Sequence, residues 1–227
     1  MAVIDDDCIA DSEWLTVILD TLSAHESPDV VTGRVLPLEP VGERVCPVAS
    51  RVSPRAAEFV GKTMPWPVGS GNNFALKREW FLRIGGCDER LGPGSPGQGG
   101  VDLDLFYRLL RAGACIRYEP RSLVYHERDT RAGRLARRPM YGHGMGVCCV
   151  LRLREGDLFA VRMFVQWMFM RSRKLAGGAR RRDWETVKEE TLMLSGTLRG
   201  LWHGMWNAAV NRNVRGVASR GSASLPR

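Results

Sequence analysis

The spacing of apolar positions changes several times along the front of the chain. Val3-Ile4 is apolar and meets three aspartates at once, so it reads as the end of a buried strand. Trp14, Leu15, Ile18, Leu19 and Leu22 then recur at helical spacing behind Asp11 or Ser12 as the cap. Asp29 to Leu36, rich in β-branched residues and closed by Pro37, predicts a strand. Residues 37–68 hold six prolines with weak periodicity and predict a long surface loop with one short helix.

Regular patterning returns at residues 69–86, GSGNNFALKREWFLRIGG. A glycine turn leads to a short strand, then a helix around Arg78–Ile84 that stops at Gly85-Gly86. Residues 92–100 contain five glycines and two prolines, a segment that is mobile unless something binds it. A helix follows from Asp102, with Leu105, Phe106, Leu109 and Leu110 inward and Arg108 and Arg111 outward, and Gly113 ends it. Ile116–Tyr118 and Leu123–Tyr125 read as two short strands leading to His126. Further on, Leu158–Met170 is a strongly apolar helix, separated by Gly177-Gly178 and Arg180–Arg182 from a second helix. In the latter, Trp184, Val187, Thr191, Leu194, Leu198, Leu201 and Met205 form one stripe. Gly196, Gly200 and Gly204 lie on another face, which permits close approach of a neighbouring helix. The front is therefore α/β and the back helical.

Composition narrows this picture. With 44% hydrophobic and 26% charged residues, the 227-residue chain can bury a real core, which excludes disorder throughout. No apolar run reaches the roughly 18 residues of a membrane span, and MAVIDDDC lacks the basic leader and apolar stretch of a signal peptide. Six cysteines without C-x-x-C spacing read as reduced thiols of a cytosolic protein. The net charge of +8 conceals a division: residues 1–127 carry −5 and residues 128–227 carry +13. An acidic front suits cations, and a basic back suits anionic surfaces.

The candidate chemistry sits in the acidic front. Asp5, Asp6 and Asp7 follow a strand end, where open α/β sheets bind ligands. In extended backbone Asp5 and Asp7 would share a face, and a divalent cation would relieve their repulsion; a solvated acidic turn is the alternative. Gly69-Ser70-Gly71-Asn72-Asn73 is a turn whose backbone can approach a ligand closely. Asp102 suits either a helix N-cap or a general base at the mouth of a mobile loop, and Asp104 reads as a favourable first-turn charge. His126 is either a satisfied histidine or a third ligand beside two carboxylates.

The order of these segments carries more than any one of them. The aspartate triplet, Trp14-Leu15, Gly69-x-Gly71-Asn72, GGCDERLG, the glycine-rich loop into DLDLFYRLLRAG, then YEP and VYH together resemble the catalytic half of family-2, GT-A-fold glycosyltransferases, over about residues 1–128. The resemblance implies an incomplete GT-A-like, Rossmann-related mixed sheet with flanking helices, here followed by a helical C-terminal region. It divides the chain into a catalytic portion (1–128), a basic amphipathic helical region (129–210) and a flexible tail (211–227). It implies inverting, non-processive transfer of a sugar from a nucleotide-diphosphate sugar to a hydroxyl acceptor, glycan or lipid-linked, with Mg²⁺ or Mn²⁺ as cofactor. On that pattern Asp5, Asp7 and His126 bind the metal, Asp6, Gly69, Gly71 and Asn72 line the donor site, and Asp102 is the catalytic base.

The chain departs from the family in two places. Val101-Asp102 stands where the family has Glu-Asp, and Met1 lies four residues before Asp5, where the family has a whole nucleotide-binding half. The expectation is thus a truncated or split enzyme whose partner is a separate N-terminal half, with poor stability alone. The alternative is a catalytically inactive remnant that binds a membrane surface or a partner protein. The processive members' Q-x-x-R-W motif is not found. The helices after 150 either lie on an anionic membrane or pack against the catalytic part, which places the protein in the cytoplasm or peripherally on the inner face of the membrane. Nucleic acid is not expected as a partner, for want of a recognisable fold or aromatic platform.

Overall fold

A computed structural model describes residues 1–38, 45–46 and 51–207; the residues expected to form the tail, 211–227, lie outside the described residues. In chain order the elements are β1 (Ala2–Ile4), β2 (Cys8–Ala10), α1 (Trp14–Ser23), β3 (Val30–Pro37), β4 (Val45–Cys46), β5 (Ala57–Phe59) and β6 (Asn73–Leu76). They continue with α2 (Arg78–Arg83), α3 (Val101–Arg111), β7 (Ile116–His126), β8 (Asp129–Thr130), α4 (Arg131–Arg154), α5 (Phe159–Arg181) and α6 (Trp184–Trp206). The chain is α/β, with a mixed sheet ordered β1-β6-β3-β7-β2. Among the described residues only β3 and β7 pair in parallel; β5 and β2 pair antiparallel with the two ends of β7. β4 and β8 form a small separate ribbon.

The central strand β3 is buried over most of its length because helices cover both its faces. Val30 points into a core with Leu76, Leu105, Phe106, Leu109 and Ile116, which α3 covers and α2 edges. Its neighbour Val31 points the other way, toward Ile18 and Ala75, with Trp14 and Leu22 of α1 against it. α1 buries Val17, Ile18 and Thr21, while Leu15 and Leu19, expected inward, are exposed.

The two strands expected at 116–118 and 123–125 are one strand with an irregularity. The register with β3 slips between Gly33 and Arg34, so that Glu119 opposes Gly33 and Leu123 opposes Arg34. Asn73 fills that irregularity: its Nδ2 donates to the carbonyls of Arg34 and Ser122, both at 2.9 Å, and its Oδ1 accepts from Trp14 Nε1 at 2.8 Å. Gly33 makes room for it, since a Cβ there would lie 2.2 Å from Asn73 Nδ2.

The loop expected at 37–68 contains β5 and no helix among its described residues, because Ala57–Phe59 completes the edge of β7. Within the helical region expected from residue 129, the first helix carries no marked apolar stripe: α4 runs through Gly133, Pro139, Gly142, Gly144 and Gly146, residues of low helix propensity. A Cβ at Gly142 or Gly146 would lie 2.2 Å from a carbonyl of α6, and one at Gly200 would lie 2.0 Å from His143 O. The glycine face of α6 is thus its packed face, as its spacing permits, and the Trp184–Met205 stripe is partly left outside, with Trp184, Leu198 and Met205 exposed. α5 passes through Gly177-Gly178, where a break was expected, because Gly178 fits against Thr186 of α6; it ends only at Arg182, whose φ is 57°. The three helices share a core with Met64, Leu91 and Tyr107, which joins them to the α/β part.

Candidate active site

The aspartates fall in the tight connection between β1, on one side of the sheet, and β2, on the other. Residues 5–8 form a turn closed by Cys8 N–H donating to Asp5 O at 3.2 Å, rather than the extended backbone the spacing argument assumed. Both flanking strands are three residues long and antiparallel to their neighbours, so the turn is held from two sides. Glu127 N–H donates to Asp7 O at 3.0 Å and fastens the turn to the end of β7.

This attachment brings together residues 119 positions apart. His126 Nε2 lies 3.5 Å from Asp7 Oδ1, with the histidine buried and the carboxylate half exposed. Cys8 opposes His126 in the strand pairing, and Asp7, Cys8 and His126 each present a ligand atom within 4.8 Å of the others. His126 Nδ1 lies 2.7 Å from Glu127 O. A carbonyl only accepts, so Nδ1 carries a proton and Nε2 is the ring nitrogen left facing the Asp7 carboxylate. A histidine oriented in this way by a carbonyl is the usual arrangement of a metal ligand. Asp7, Cys8 and His126 are therefore a group that could hold a metal ion.

Asp5 joins the same space. Burial raises its carboxyl above the ordinary value; the nearby charges of Asp7, Asp102 and Asp6 push the same way, and His126 opposes them. Asp5 and Asp102 thus share one electrostatic environment although 97 residues separate them. Asp6 exerts the weakest of these effects. Burial, together with Asp7 and Asp5, pushes the Cys8 thiol up to about 12. Cys8, read from the sequence as a reduced thiol, carries no signal for the site beyond its place directly after Asp7.

The glycine turn lies against Asp102. A Cβ on Gly71 would come 2.7 Å from Asp102 Cβ and 3.0 Å from its Oδ2, and one on Gly69 would overlap Thr32. Asn72 is buried with its Oδ1 unpartnered, which leaves an acceptor for a ligand donor beside this turn. The structure thus brings Asp7, Cys8 and His126 together, with Asp5 in electrostatic reach of Asp7 and His126, and packs Gly71 on Asp102.

Asp102 is not the N-cap of α3. Gly100, at φ 80°, holds that position without a side-chain cap, and Asp102 is the second helical residue, with its carboxylate free of capping duty. Asp104 is the buried residue: it accepts from Arg108 Nε at 2.7 Å and lies 3.1 Å from Arg152 Nε. Arg152 also reaches Asp88 at 2.5 Å, and Arg90 reaches it at 2.6 Å. Burial would raise the Asp88 carboxyl, but the Arg90 and Arg152 guanidinium groups hold it at about 2. This network anchors the start of α3, and with it Asp102, to α4. The i,i+4 pair of Asp104 and Arg108 was the only sign of it in the sequence.

The glycine-rich segment 92–100 rests on α4. His143 Nδ1 donates to Gly97 O at 3.0 Å, and a Cβ on Gly144 would lie 2.3 Å from the backbone of Gly99.

Against this geometry stand the comparisons with known proteins. No family model matches the chain. A stretch of 75 residues is 39% identical to proteins named Pre-mycofactocin glycosyltransferase from two strains of Mycobacterium tuberculosis. The match covers 33% of this chain and 14% of the length of those relatives. It is a partial and distant likeness to a glycosyltransferase.

Proposed function

We propose that the chain carries the transfer site of a GT-A-type, inverting, non-processive glycosyltransferase, with a nucleotide-diphosphate sugar as donor and a hydroxyl group of a glycan or lipid-linked molecule as acceptor. The observation that carries this reading is the 3.5 Å approach of His126 Nε2 to Asp7, with Nδ1 spoken for by a carbonyl. The partial identity to a glycosyltransferase supports the reading independently.

Asp7 and His126, with Asp5 beside them, would hold Mg²⁺ or Mn²⁺. When bound, that ion supplies positive charge to a leaving diphosphate. Asp6 sits at the exposed tip of the turn, toward the nucleotide. Gly69 and Gly71 keep the turn flush, so that donor sugar can approach its backbone, and Asn72 Oδ1 accepts a sugar hydroxyl. Asp102 takes the proton of the acceptor hydroxyl as its oxygen bonds to the anomeric carbon; the carbon–oxygen bond to the diphosphate breaks, and its electron pair leaves with the phosphate. One displacement inverts the anomeric centre. General-base removal of that proton is worth about 10²–10⁴-fold in rate.

The test combines Mn²⁺ titration, read by electron paramagnetic resonance, with nucleoside diphosphate release from a panel of nucleotide sugars. Asp7→Asn and His126→Ala weaken Mn²⁺ binding by more than about tenfold. Asp102→Asn keeps Mn²⁺ affinity and loses about 10²–10⁴ in turnover. Mn²⁺ binding indifferent to both ligand variants, or full turnover by Asp102→Asn, overturns the proposal.

A further inference from the structure

The helical back leaves a second surface without a role in transfer. α5 and α6 form an antiparallel hairpin joined at Arg182 and Asp183, with Trp167 Nε1 donating to Thr197 Oγ1 at 3.1 Å and Arg171 3.3 Å from Glu190. These ties set the front half of α5 beside the last turns of α6. α5 turns Phe159, Met163 and Trp167 inward, and α6 turns Gly196, Gly200 and Gly204 toward α4.

The opposite sides are apolar and bare. Leu158 at the N-cap of α5 and Val161, Val165 and Phe169 along it are all exposed, at steps of three, four and four residues along about 16 Å. On α6, Leu198, Trp202 and Trp206 each stand two residues, about 200°, beyond a packed glycine, and so face outward. Leu158 is 75% exposed, Phe169 61%, Trp202 65% and Trp206 69%, values at which burial against this chain contributes little. The two tryptophans lie with centroids 5.6 Å apart.

Charge identifies the occupant. α5 carries six cationic residues and no acidic one. Exposed Arg162 and Arg173 border the stripe, the latter with its guanidinium 5.7 Å from the Phe169 ring, and Arg199 is the one charged residue in the second half of α6. The acids of α6 lie at its far end, where Glu185, Glu189 and Glu190 pair with Arg131, Arg134, Arg138 and Arg171. A second copy seated on this face would bring two sets of arginines together, a repulsive arrangement. An anionic surface that also accepts apolar side chains matches both properties, and tryptophan suits its boundary. Among the described residues no helix is long and apolar enough to cross a membrane. We infer that the outer face of the α5–α6 hairpin docks on the surface of an anionic lipid bilayer, with Trp202 and Trp206 at headgroup depth and the arginines against lipid phosphates. The inference stands apart from the transfer reaction, since docking needs no donor.

Flotation of the full chain with vesicles of phosphatidylcholine, or of phosphatidylcholine and phosphatidylglycerol in equal parts, tests this. The chain floats with the anionic vesicles, less so at high salt, and its tryptophan emission shifts to the blue. Val165→Glu combined with Phe169→Ser lowers vesicle binding at least about tenfold, with an unchanged melting temperature because both side chains are exposed. Arg162→Gln with Arg173→Gln removes the preference for anionic lipid. Failure to float, equal binding to neutral vesicles, or wild-type binding by the Val165/Phe169 variant overturns the inference. So does a dimer in sedimentation that the same variant dissociates, since the face would then belong to a second copy.

Discussion

Gly71→Ala tests the packing of the glycine turn on Asp102. A Cβ at position 71 would stand 2.7 Å from Asp102 Cβ, 3.0 Å from Oδ2 and 3.1 Å from Cγ. Comfortable carbon contacts are about 3.5–4.0 Å, so the carboxylate must move by about 1 Å. The helix that bears it cannot follow, because Asp104 is tied to Arg108 and Arg152. Gly71 is not in a left-handed conformation, which leaves this contact as the whole of the effect. Overpacking costs about 1–3 kcal/mol, offset by about 0.4–1 kcal/mol from the stiffer unfolded chain, so the variant stays folded. A reacting group displaced by about 1 Å loses about 100-fold in rate, close to 2.7 kcal/mol of barrier. The assay is nucleoside diphosphate release at saturating donor and Mn²⁺, beside a urea titration. The expected result is a kcat about 100-fold lower, with Mn²⁺ affinity near wild type, since Asp7 and His126 lie on other elements. A folded Gly71→Ala chain with wild-type kcat would refute the proposed place of Asp102 in the chemistry.

Other outcomes follow from the same packing and charges. Gly200→Ala forces a methyl to 2.0 Å from His143 O, and the urea midpoint should fall by the equivalent of about 3 kcal/mol. Gly177→Ala meets nothing closer than Arg181 Nη1 at 3.4 Å, and should raise stability by about 0.5–1 kcal/mol; loss of stability there would show α5 to be misplaced. Asp88, held at about 2 in the folded chain against the ordinary 3.8, contributes about 2 kcal/mol that is fully present above the ordinary value and lost as pH falls from about 4 toward 2. Urea midpoints across that range should show this slope, and Asp88→Asn should flatten it. Native-state alkylation read by mass spectrometry should modify exposed Cys87 before buried Cys148 and Cys149, whose thiols burial holds above their ordinary value. Early labelling of Cys148 would contradict the packing of α4 on α3.

Periodicity read well where one face of an element is buried and poorly where glycine does the packing. The α3 pattern placed Leu105, Phe106, Leu109 and Leu110 inward, and the structure buries all four. The bounds of α4 within the helical region expected from residue 129 were not legible because Gly142, Gly146 and Pro139 are poor helix formers, whereas α6 supplies the contacts that hold that helix. Asp104 looked like a surface charge, since its partner Arg152 lies 48 residues away and no local rule connects them. Among the residues singled out for chemistry, Asp5 to Asp7 and Gly69 to Asn72 lie in acidic or glycine-rich turns, which are legible because both are poor material for a core, whereas His126 ends β7 and Asp102 lies in α3.

By itself the sequence determined an α/β front, a helical basic back and the residue types able to bind a cation. The physical reason is that side-chain spacing and charge are local properties. Tertiary structure alone decided that Asp7 meets His126, that Gly71 touches Asp102 and that Phe169 and Trp202 face solvent. Each of these depends on which strand ends and helix faces become neighbours, and that is settled by burying the whole core at once.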